Sequence, residues 1–361
     1  IALASTLISA ETAAMIAVSG ISGKVTSIDA ARLGPEPVTV LGIKREVAKQ
    51  LKCSIFGLKL LQDDKVLETF STWESLGYPR HLSAVQCPYA GDDSQDDHLI
   101  QAVLKENHLD VERILSQGQR PNCALRGTPV LCIASKLGHT EVVKFLVEAA
   151  ADVNLGDCMD ETALMRAARF GHLTVVNFLL DEGAEVNQCD CQGATALIWA
   201  AREGREGVVR RLIKAKANIQ KETQQNATAL MSAAGGGHCS VLHCLLGARA
   251  DVNHRGLHGA SALMWAAEEG QFEAALFLLE SKAQVDQEDG QGSTALFRAA
   301  EGGHEELVQF LLQAGASVKK RNKYGATALK LALESGQVEV IRLLTEAGAE
   351  MERPTGGRFQ R

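Results

Sequence analysis

The chain has 361 residues, of which 46% are hydrophobic and only 4% aromatic, and its formal net charge is −7. So few large rings do not fill a single globular core of this length, and layers of small aliphatic side chains are expected instead. The acidic balance provides no overall field that attracts nucleic acid or an anionic membrane, so neither is predicted as a partner.

Cysteine usage and hydropathy indicate the compartment. The nine cysteines, an odd number, are scattered without regular spacing, which is typical of free thiols in a reducing compartment. We therefore predict a cytoplasmic location, with the nucleus as the alternative. The sequence contains no run of 18 apolar residues, so no membrane-spanning helix is expected.

The first segment, IALASTLISAETAA, is similar to the end of a secretory signal but lacks a basic leading region. We interpret residues 1–14 as a leader or disordered segment. The text MIAVSGISGKVTSI that follows is typical of two strands joined by a glycine-containing turn. The folded chain is therefore expected to begin at Met15.

Residues 15–90 lack the periodicity found later and predict a mixed α+β domain. The expected strands are 15–19, 24–33, 56–61 and 82–87, and the expected helix is 40–52. This order, together with the text LKLLQDDKVLETFSTWESLGYPRHLSAVQ, resembles the ubiquitin-like family. The resemblance implies a small ubiquitin-like (β-grasp) domain over residues 15–90.

The ubiquitin-like resemblance also implies a sheet face that recruits partners. The matching positions are Leu60, Ser83 and Val85. The alternative is that Leu60 and Val85 are ordinary sheet residues. The last strand continues into CPYAGDDSQDD without a terminal Gly-Gly, so the domain is expected to be an integral part of the chain.

Residues 91–97, GDDSQDD, are predicted to form an acidic linker. The four carboxylates, those of Asp92, Asp93, Asp96 and Asp97, are expected to be solvated and to lie before a helix that begins at His98. Negative charge at that place stabilises the positive end of a helix.

Beyond the linker, a glycine recurs every 33 residues, at Gly138, Gly171, Gly204, Gly237, Gly270, Gly303 and Gly336. Apolar residues recur at helical spacing in two short segments on either side of each glycine. The repeating unit is therefore predicted to be helix, turn, helix, with the glycine ending the first helix.

These repeats resemble the ankyrin family in segments such as TALMRAARFGH (162–172), TALIWAAREGR (195–205) and SALMWAAEEGQ (261–271). The resemblance implies a mostly α protein, an ankyrin-repeat solenoid of about seven repeats over residues 98–352, with a terminal cap unit in the first part. Residues 353–361 are expected to form a flexible basic tail.

One repeat does not bury enough surface to fold alone. A buried aliphatic side chain such as that of Leu164 contributes about 1.5–3 kcal/mol, whereas ordering each residue costs about 1–2 kcal/mol. Stacking against neighbouring repeats is therefore required. Met165, Met231 and Met264 are predicted to pack between the layers.

The ankyrin resemblance implies protein binding on the exposed side of the first helices and at the hairpin tips. The residues in those phases are Arg166, Arg169, Phe170, Trp199, Arg202, Trp265, Glu268, Glu269, Arg298, Glu301 and, at a tip, Tyr324. They divide into a basic half around Trp199 and an acidic half around Trp265. Tryptophan and arginine dominate binding hot spots. The alternative is that the tryptophans pack against neighbouring repeats and the charges are merely solvated.

No phosphate loop, nucleophile elbow, zinc-protease sequence or kinase loop is present in the sequence. Cys239 and His243 are spaced to share one helix face, but no second ligand pair follows at the spacing of a zinc site, so no metal or cofactor is predicted. We therefore expect a non-enzymatic adaptor that binds protein partners in the concave surface, is monomeric on its own, and is linked to ubiquitin-type pathways. The alternative is a permanent structural subunit or assembly factor of a larger complex.

Overall fold

A computed structural model describes residues 15–20, 25–29, 58–62, 65–66, 81–86 and 93–350. The chain divides into two compact units, Ile1–Leu155 and Gly156–Arg361. The predictions for residues 1–14, for the helix at 40–52 and for the tail at 353–361 lie outside the described residues. The domain boundaries expected at residues 90 and 97 stay predictions.

The N-terminal strands form one five-stranded sheet. Its strands are β1 (Met15–Gly20), β2 (Val25–Asp29), β3 (Leu58–Gln62), β4 (Lys65–Val66) and β5 (His81–Gln86). Their order across the sheet is β2-β1-β5-β3-β4. The pair β1–β5 is parallel, and the other neighbours are antiparallel. The two-residue strand β4 is too short to be recognised from periodicity, and the sequence did not predict it.

The three predicted partner-recruiting positions lie on two neighbouring strands of this sheet. Leu60 of β3 lies opposite Ala84 of β5, and Ser83 and Val85 flank Ala84 along β5. That these positions recruit a partner stays a prediction.

The first unit continues with two helix pairs. They are α1 (Asp93–Leu104) with α2 (His108–Ser116), and α3 (Val130–Leu137) with α4 (Thr140–Glu148). A short hairpin of β6 (Ala124–Leu125) and β7 (Thr128–Pro129) precedes α3. Leu99, Val103 and Leu115 are fully buried between these helices.

Helix α1 begins at Asp93 and not at His98 as predicted. The acidic residues Asp93, Asp96 and Asp97 are therefore helical. Carboxylates in a first helical turn are stabilised by the positive end of the helix dipole. The same charges that suggested a solvated linker thus favour the start of a helix.

The second unit contains six helix pairs, each joined by a turn. They are α5 (Ala163–Phe170) and α6 (Leu173–Asp181), α7 (Ala196–Arg202) and α8 (Glu206–Lys214), α9 (Ala229–Gly235) and α10 (Cys239–Gly247), α11 (Ala262–Glu268) and α12 (Phe272–Glu280), α13 (Ala295–Gly302) and α14 (Glu305–Gln313), and α15 (Ala328–Glu334) and α16 (Val338–Glu346). Residues 93–350 thus contain 16 α-helices. The predicted helix-turn-helix repeat is confirmed.

Local sequence explains where each first helix begins and ends. The Thr195 hydroxyl accepts a hydrogen bond from the Ile198 amide at 3.4 Å, which caps α7. After α7, Gly204 adopts a φ of 68°, a conformation that glycine tolerates without a Cβ penalty. The His238 ring of the next repeat packs over this glycine and bonds to the Arg202 carbonyl, with 3.0 Å between His238 Nε2 and the oxygen.

Successive repeats of the second unit are tied together along two lines of hydrogen bonds. At the hairpin tips, backbone amides donate to the preceding tip, as in Cys191 to Met159 at 2.9 Å and Gln224 to Gln192 at 2.7 Å. Between the repeats, the Asn187 side chain accepts from the Asn218 amide at 2.7 Å. The core is aliphatic, and the prediction that Met165, Met231 and Met264 pack between layers is confirmed by their burial. Each repeat is thus completed by its neighbours.

Among the described helices, none combines the length and hydropathy that a membrane span requires.

Candidate functional site

The exposed sides of first helices α5, α7, α9, α11 and α13 form a surface that we call the groove. One residue per repeat occupies the same phase of it, in the order Arg166, Trp199, Ser232, Trp265 and Arg298. A cavity of about 530 Å³ lies in the groove between Trp199 and Trp265. Its other lining residues include Arg202, Ser232, Gly235, Gly236 and Glu269. The cavity exists because the middle repeat places serine and glycine where its neighbours carry large side chains.

The Trp199 side of the cavity is held rigidly. The Trp199 indole is 8% exposed, and its Nε1 donates to Asp190 Oδ2 at 2.9 Å. Asp190 also accepts the Gln192 and Ala194 amides at the hairpin. The guanidinium groups of Arg169 and Arg202 lie 4.3 and 5.7 Å from the centre of the indole. Both the N–H and the ring of Trp199 are therefore occupied by intramolecular contacts, which supports the packing alternative for this residue.

The same pairing of a hairpin aspartate with the residue nine positions later occurs twice more. Asp157 binds Arg166, and Asp289 binds Arg298 at 3.1 Å. Burial raises the pKa of Asp157, but hydrogen bonds from the Met159 amide, from Arg166 and from the Glu161 amide outweigh it and hold the pKa below its usual value. These aspartates join hairpin to helix within one repeat.

The predicted basic half of the groove is largely neutralised. Arg166 pairs with Asp157 and, at 2.6 Å, with Glu161. Arg169 lies 3.8 Å from Glu161 and 3.5 Å from Glu203. Within residues 93–350, Arg202 is the one of the three predicted arginines that forms no ion pair. The structure thus leaves a single uncompensated cation at this end of the groove.

The Trp265 side of the cavity differs from the Trp199 side. The hairpin position nine residues before Trp265 is Gly256, so no carboxylate meets the indole N–H. A Cβ atom at Gly256 would lie 2.5 Å from the Asn226 carbonyl oxygen and 2.7 Å from Met231 Sδ, so a longer residue does not fit. No described cation covers the Trp265 ring. This indole is half-buried and has neither an intramolecular hydrogen bond nor a cation–π contact in the described part of the chain.

The predicted acidic half of the groove keeps its charge. Glu268, Glu269 and Glu301 are exposed, and none of them forms an ion pair with a described residue. The nearby Arg298 is already bound to Asp289. The groove therefore carries three uncompensated carboxylates around Trp265.

Of the predicted partner-binding residues, only Trp199, Arg202, Trp265 and Glu269 line the cavity, and Phe170 and Tyr324 are among those that do not. Phe170 is 39% exposed and has the Arg169 guanidinium 5.9 Å from its ring centre. Tyr324 is 74% exposed at the hairpin before α15. Neither lines the cavity, and their contribution to binding stays a prediction.

The sequence reasoning missed four residues that shape the site. Asp190 fixes one tryptophan, Gly256 leaves the other free, and Ser232 and Gly235 create the space between them. The nine-residue spacing between aspartate and its partner recurs in the sequence and was the available clue. No sequence pattern indicated the cavity, because it depends on the sizes of side chains from three repeats.

The cysteines of the described region do not form an evident reactive centre. Seven are free thiols, and burial, followed by the charge of Asp96, raises the pKa of Cys123 to about 12. Such a thiol is inert at neutral pH. Among the described residues, no group of three or more His, Cys, Asp or Glu side chains is placed to hold a metal ion.

Comparison with known proteins decides the family. A family model described as ankyrin repeats (three copies) matches residues 99–190, 173–256, 197–289 and 263–355. The chain belongs to the ankyrin-repeat family. Its structure is similar to the crystal structure of the human ASB11 ankyrin repeat domain, with a TM-score of 0.57, 28% sequence identity, and coverage of 62% of this chain and 99% of that chain. No curated protein sequence matches the chain.

Ankyrin repeats indicate a module for protein–protein interaction. The ankyrin-repeat fold is typically a non-enzymatic scaffold, whose stacked repeats present extended binding surfaces.

Proposed function

We propose that this ankyrin-repeat protein is a non-enzymatic adaptor that binds a partner protein in the groove and at the hairpin tips. The observation that supports it is the cavity between Trp199 and Trp265 on the exposed side of the first helices. Its volume is within the range of about 300–1,000 Å³ in which proteins hold ligand groups. Tryptophan and arginine, which line it, carry most of the energy in many interfaces.

Filling the cavity tests this function. Ser232→Trp places an indole in the phase that Trp199 and Trp265 occupy in the neighbouring repeats, and so occupies the space a partner needs. Ser240→Trp is the matched control, since Ser240 is exposed on the second helix of the same repeat. The full chain and both variants are cross-linked in native extract, and the captured proteins are identified by mass spectrometry.

We expect Ser232→Trp to lose a partner that the wild type and Ser240→Trp both capture. Undiminished capture by Ser232→Trp would contradict binding in the groove. Co-purification of that partner at fixed stoichiometry through high salt would instead favour the permanent-subunit alternative.

We also propose that residues 15–90 form a ubiquitin-like domain that connects the adaptor to ubiquitin-type pathways. The strand order β2-β1-β5-β3-β4, with a parallel pair between the first and last strands, supports this proposal. Hydrogen exchange on the full chain tests it, because a β-grasp domain requires a protected helix near residues 40–52. Rapid exchange throughout that segment would contradict the domain, and unchanged ubiquitin-system partners after deletion of residues 15–90 would contradict the pathway.

The same proposal includes a cytoplasmic or nuclear location and a monomeric chain without nucleic-acid partners. The free thiols among the described residues support a reducing compartment. The net charge of −7 supports the absence of nucleic acid. Light scattering after size exclusion measures the oligomeric state, and a mass of twice that of the chain would contradict the monomer.

A further inference from the structure

The geometry points to a basic segment of the partner protein as the occupant of the acidic end of the groove. We define the acidic end as Trp265, Glu268, Glu269 and Glu301. The inference rests on the proposed function, since it names the chemistry of the partner that the groove binds. The segment is extended and carries arginine or lysine side chains that meet the indole and the carboxylates.

The first step is the contrast between the two tryptophans of the cavity. Trp199 already has what an indole binds: Asp190 accepts its N–H, and two guanidinium groups lie by its ring. Trp265 has the same phase two repeats later but has neither contact in the described chain. The ring of tryptophan is the best aromatic partner for a cation. The contacts of Trp199 thus indicate what the Trp265 ring lacks, which is a cationic side chain such as a guanidinium group.

The second step is charge complementarity. At the other end of the groove, Asp157, Glu161 and Glu203 neutralise Arg166 and Arg169. At the acidic end, no described residue neutralises the three glutamates. Glu269 lines the cavity together with Trp265. Arg202 lines the cavity on the Trp199 side. On the Trp265 side, a basic side chain therefore meets a carboxylate and an indole at once, whereas an acidic side chain meets repulsion from Glu269.

The third step sets the spacing of the basic residues. Glu268 and Glu301 hold the same phase in adjacent repeats, on α11 and α13. Packed helices lie about 8–10 Å apart, and an extended chain advances about 3.3 Å per residue. Two basic residues about three positions apart therefore match the two carboxylates.

Binding of synthetic peptides to the full chain tests the inference. Labelled peptides of about 12 residues in a glycine-serine background carry two arginines three positions apart, two adjacent arginines, or two citrullines three positions apart. Fluorescence anisotropy gives the dissociation constants at low salt and at about 0.5 M salt. Citrulline keeps the shape of arginine without its charge, so the comparison isolates the cation.

We expect the spaced arginine peptide to bind about tenfold more tightly than the citrulline peptide at low salt and to lose this advantage at high salt. The double variant Glu268→Gln/Glu269→Gln should weaken it about fivefold. Trp265→Leu should weaken it about threefold to tenfold. Leucine is accommodated in this phase, since Leu331 occupies it in the last repeat.

The matched control is Glu305→Gln/Glu306→Gln, which removes two adjacent exposed carboxylates from the second helix of a neighbouring repeat. It changes the net charge equally and should leave binding unchanged. Equal binding of arginine and citrulline peptides, no binding of either, or equal effects of the two double variants would overturn the inference. If Ser232→Trp nevertheless abolishes partner capture, the adaptor function stands and the basic segment alone is rejected.

Discussion

A hairpin residue determines whether the groove residue nine positions later is held or available. Asp190 holds Trp199 by its N–H, and Asp157 holds Arg166. Gly256 leaves Trp265 without an acceptor. Removing the indole N–H should therefore cost more stability at Trp199 than at Trp265, although both lie at the same position of the repeat.

Trp199→Phe should lower the free energy of unfolding by about 1–3 kcal/mol beyond the loss of ring volume, because it leaves the buried Asp190 carboxylate without this donor. Trp265→Phe is the matched control and should cost clearly less, because no bond is broken. Urea unfolding followed by circular dichroism measures both. Equal losses in the two variants would contradict the pairing.

Asp157→Asn tests the ion pair with Arg166 through its pH dependence. The folded-state pKa of Asp157 is lowered. Its carboxylate therefore stabilises the fold above the unfolded-state pKa of about 3.9, and this stabilisation is lost as pH falls through the folded-state value. The variant should be about 1–2 kcal/mol less stable than the wild type at pH 7.

The stability difference between wild type and Asp157→Asn should shrink towards zero in acid. Asparagine preserves the turn, since Asn322 holds the corresponding place in the last repeat and accepts the Tyr324 and Ala326 amides at 3.0 Å. A difference that stayed constant down to about pH 2 would show that the charge is not responsible.

At the scale of the helical elements, the recurring glycine also supports packing between repeats. A Cβ atom at Gly204 would lie 2.6 Å from His238 Nδ1, whereas one at Gly183 would meet nothing within 4 Å. Both glycines have positive φ, at 68° and 91°. A comparison of substitutions at these two positions therefore distinguishes the cost of backbone strain from the cost of a collision with the next repeat.

Gly183→Ala should cost about 1–2 kcal/mol from strain alone. Gly204→Ala should cost about 1 kcal/mol more, because the His238 ring must move and its bond to the Arg202 carbonyl is lost. Thermal and urea unfolding of the two variants provide the comparison. The same loss of stability at both positions would show that the His238 ring does not contribute to packing between adjacent repeats.

Most of the helical elements could be predicted because their causes are local. The recurring glycines and the apolar spacing act within a few residues, and they predicted both helices of each repeat. The start of α1 was wrong because the acidic residues from Asp93 suit a helix terminus as well as a solvated linker.

The candidate site could be predicted only in part. The phase of Trp199 and Trp265 follows from the repeat, but the neutralisation of Arg169 does not. Its partner Glu203 lies on the next repeat, and the distance between them depends on how the repeats stack. Counting the charged residues at one position of the repeat therefore overestimates the net charge of the groove, because ion pairs between repeats are not visible in the sequence.

For the second unit as a whole, the free energy of unfolding should be a sum of contributions from single repeats and from the contacts between neighbouring repeats. Each repeat contacts only its neighbours, so the repeats on either side of an interior repeat are coupled to each other through it. Leu230 and Leu329 occupy the same phase, in an interior and in the terminal repeat, and are 2% and 1% exposed. Each leucine-to-alanine substitution should remove about 2–5 kcal/mol of local packing.

Leu230→Ala should split the unfolding of the second unit into two steps, whereas Leu329→Ala should mainly loosen the last repeat. Hydrogen exchange read by mass spectrometry at increasing urea locates each step along the chain. A single cooperative transition in both variants would show that coupling extends beyond nearest neighbours.

The proposed binding at Trp265 depends on a local arrangement of two adjacent repeats around Gly256. The crowding by Asn226 and Met231 that excludes a side chain there involves the adjacent repeat. Transplanting Gly256 and Trp265 together with these two neighbours should relocate the receptive indole along the array in steps of one 33-residue unit. An aspartate placed nine residues before a transplanted indole, at a hairpin where its side chain fits, should bind the indole N–H. That repeat should then no longer bind the partner, while its helices stay folded.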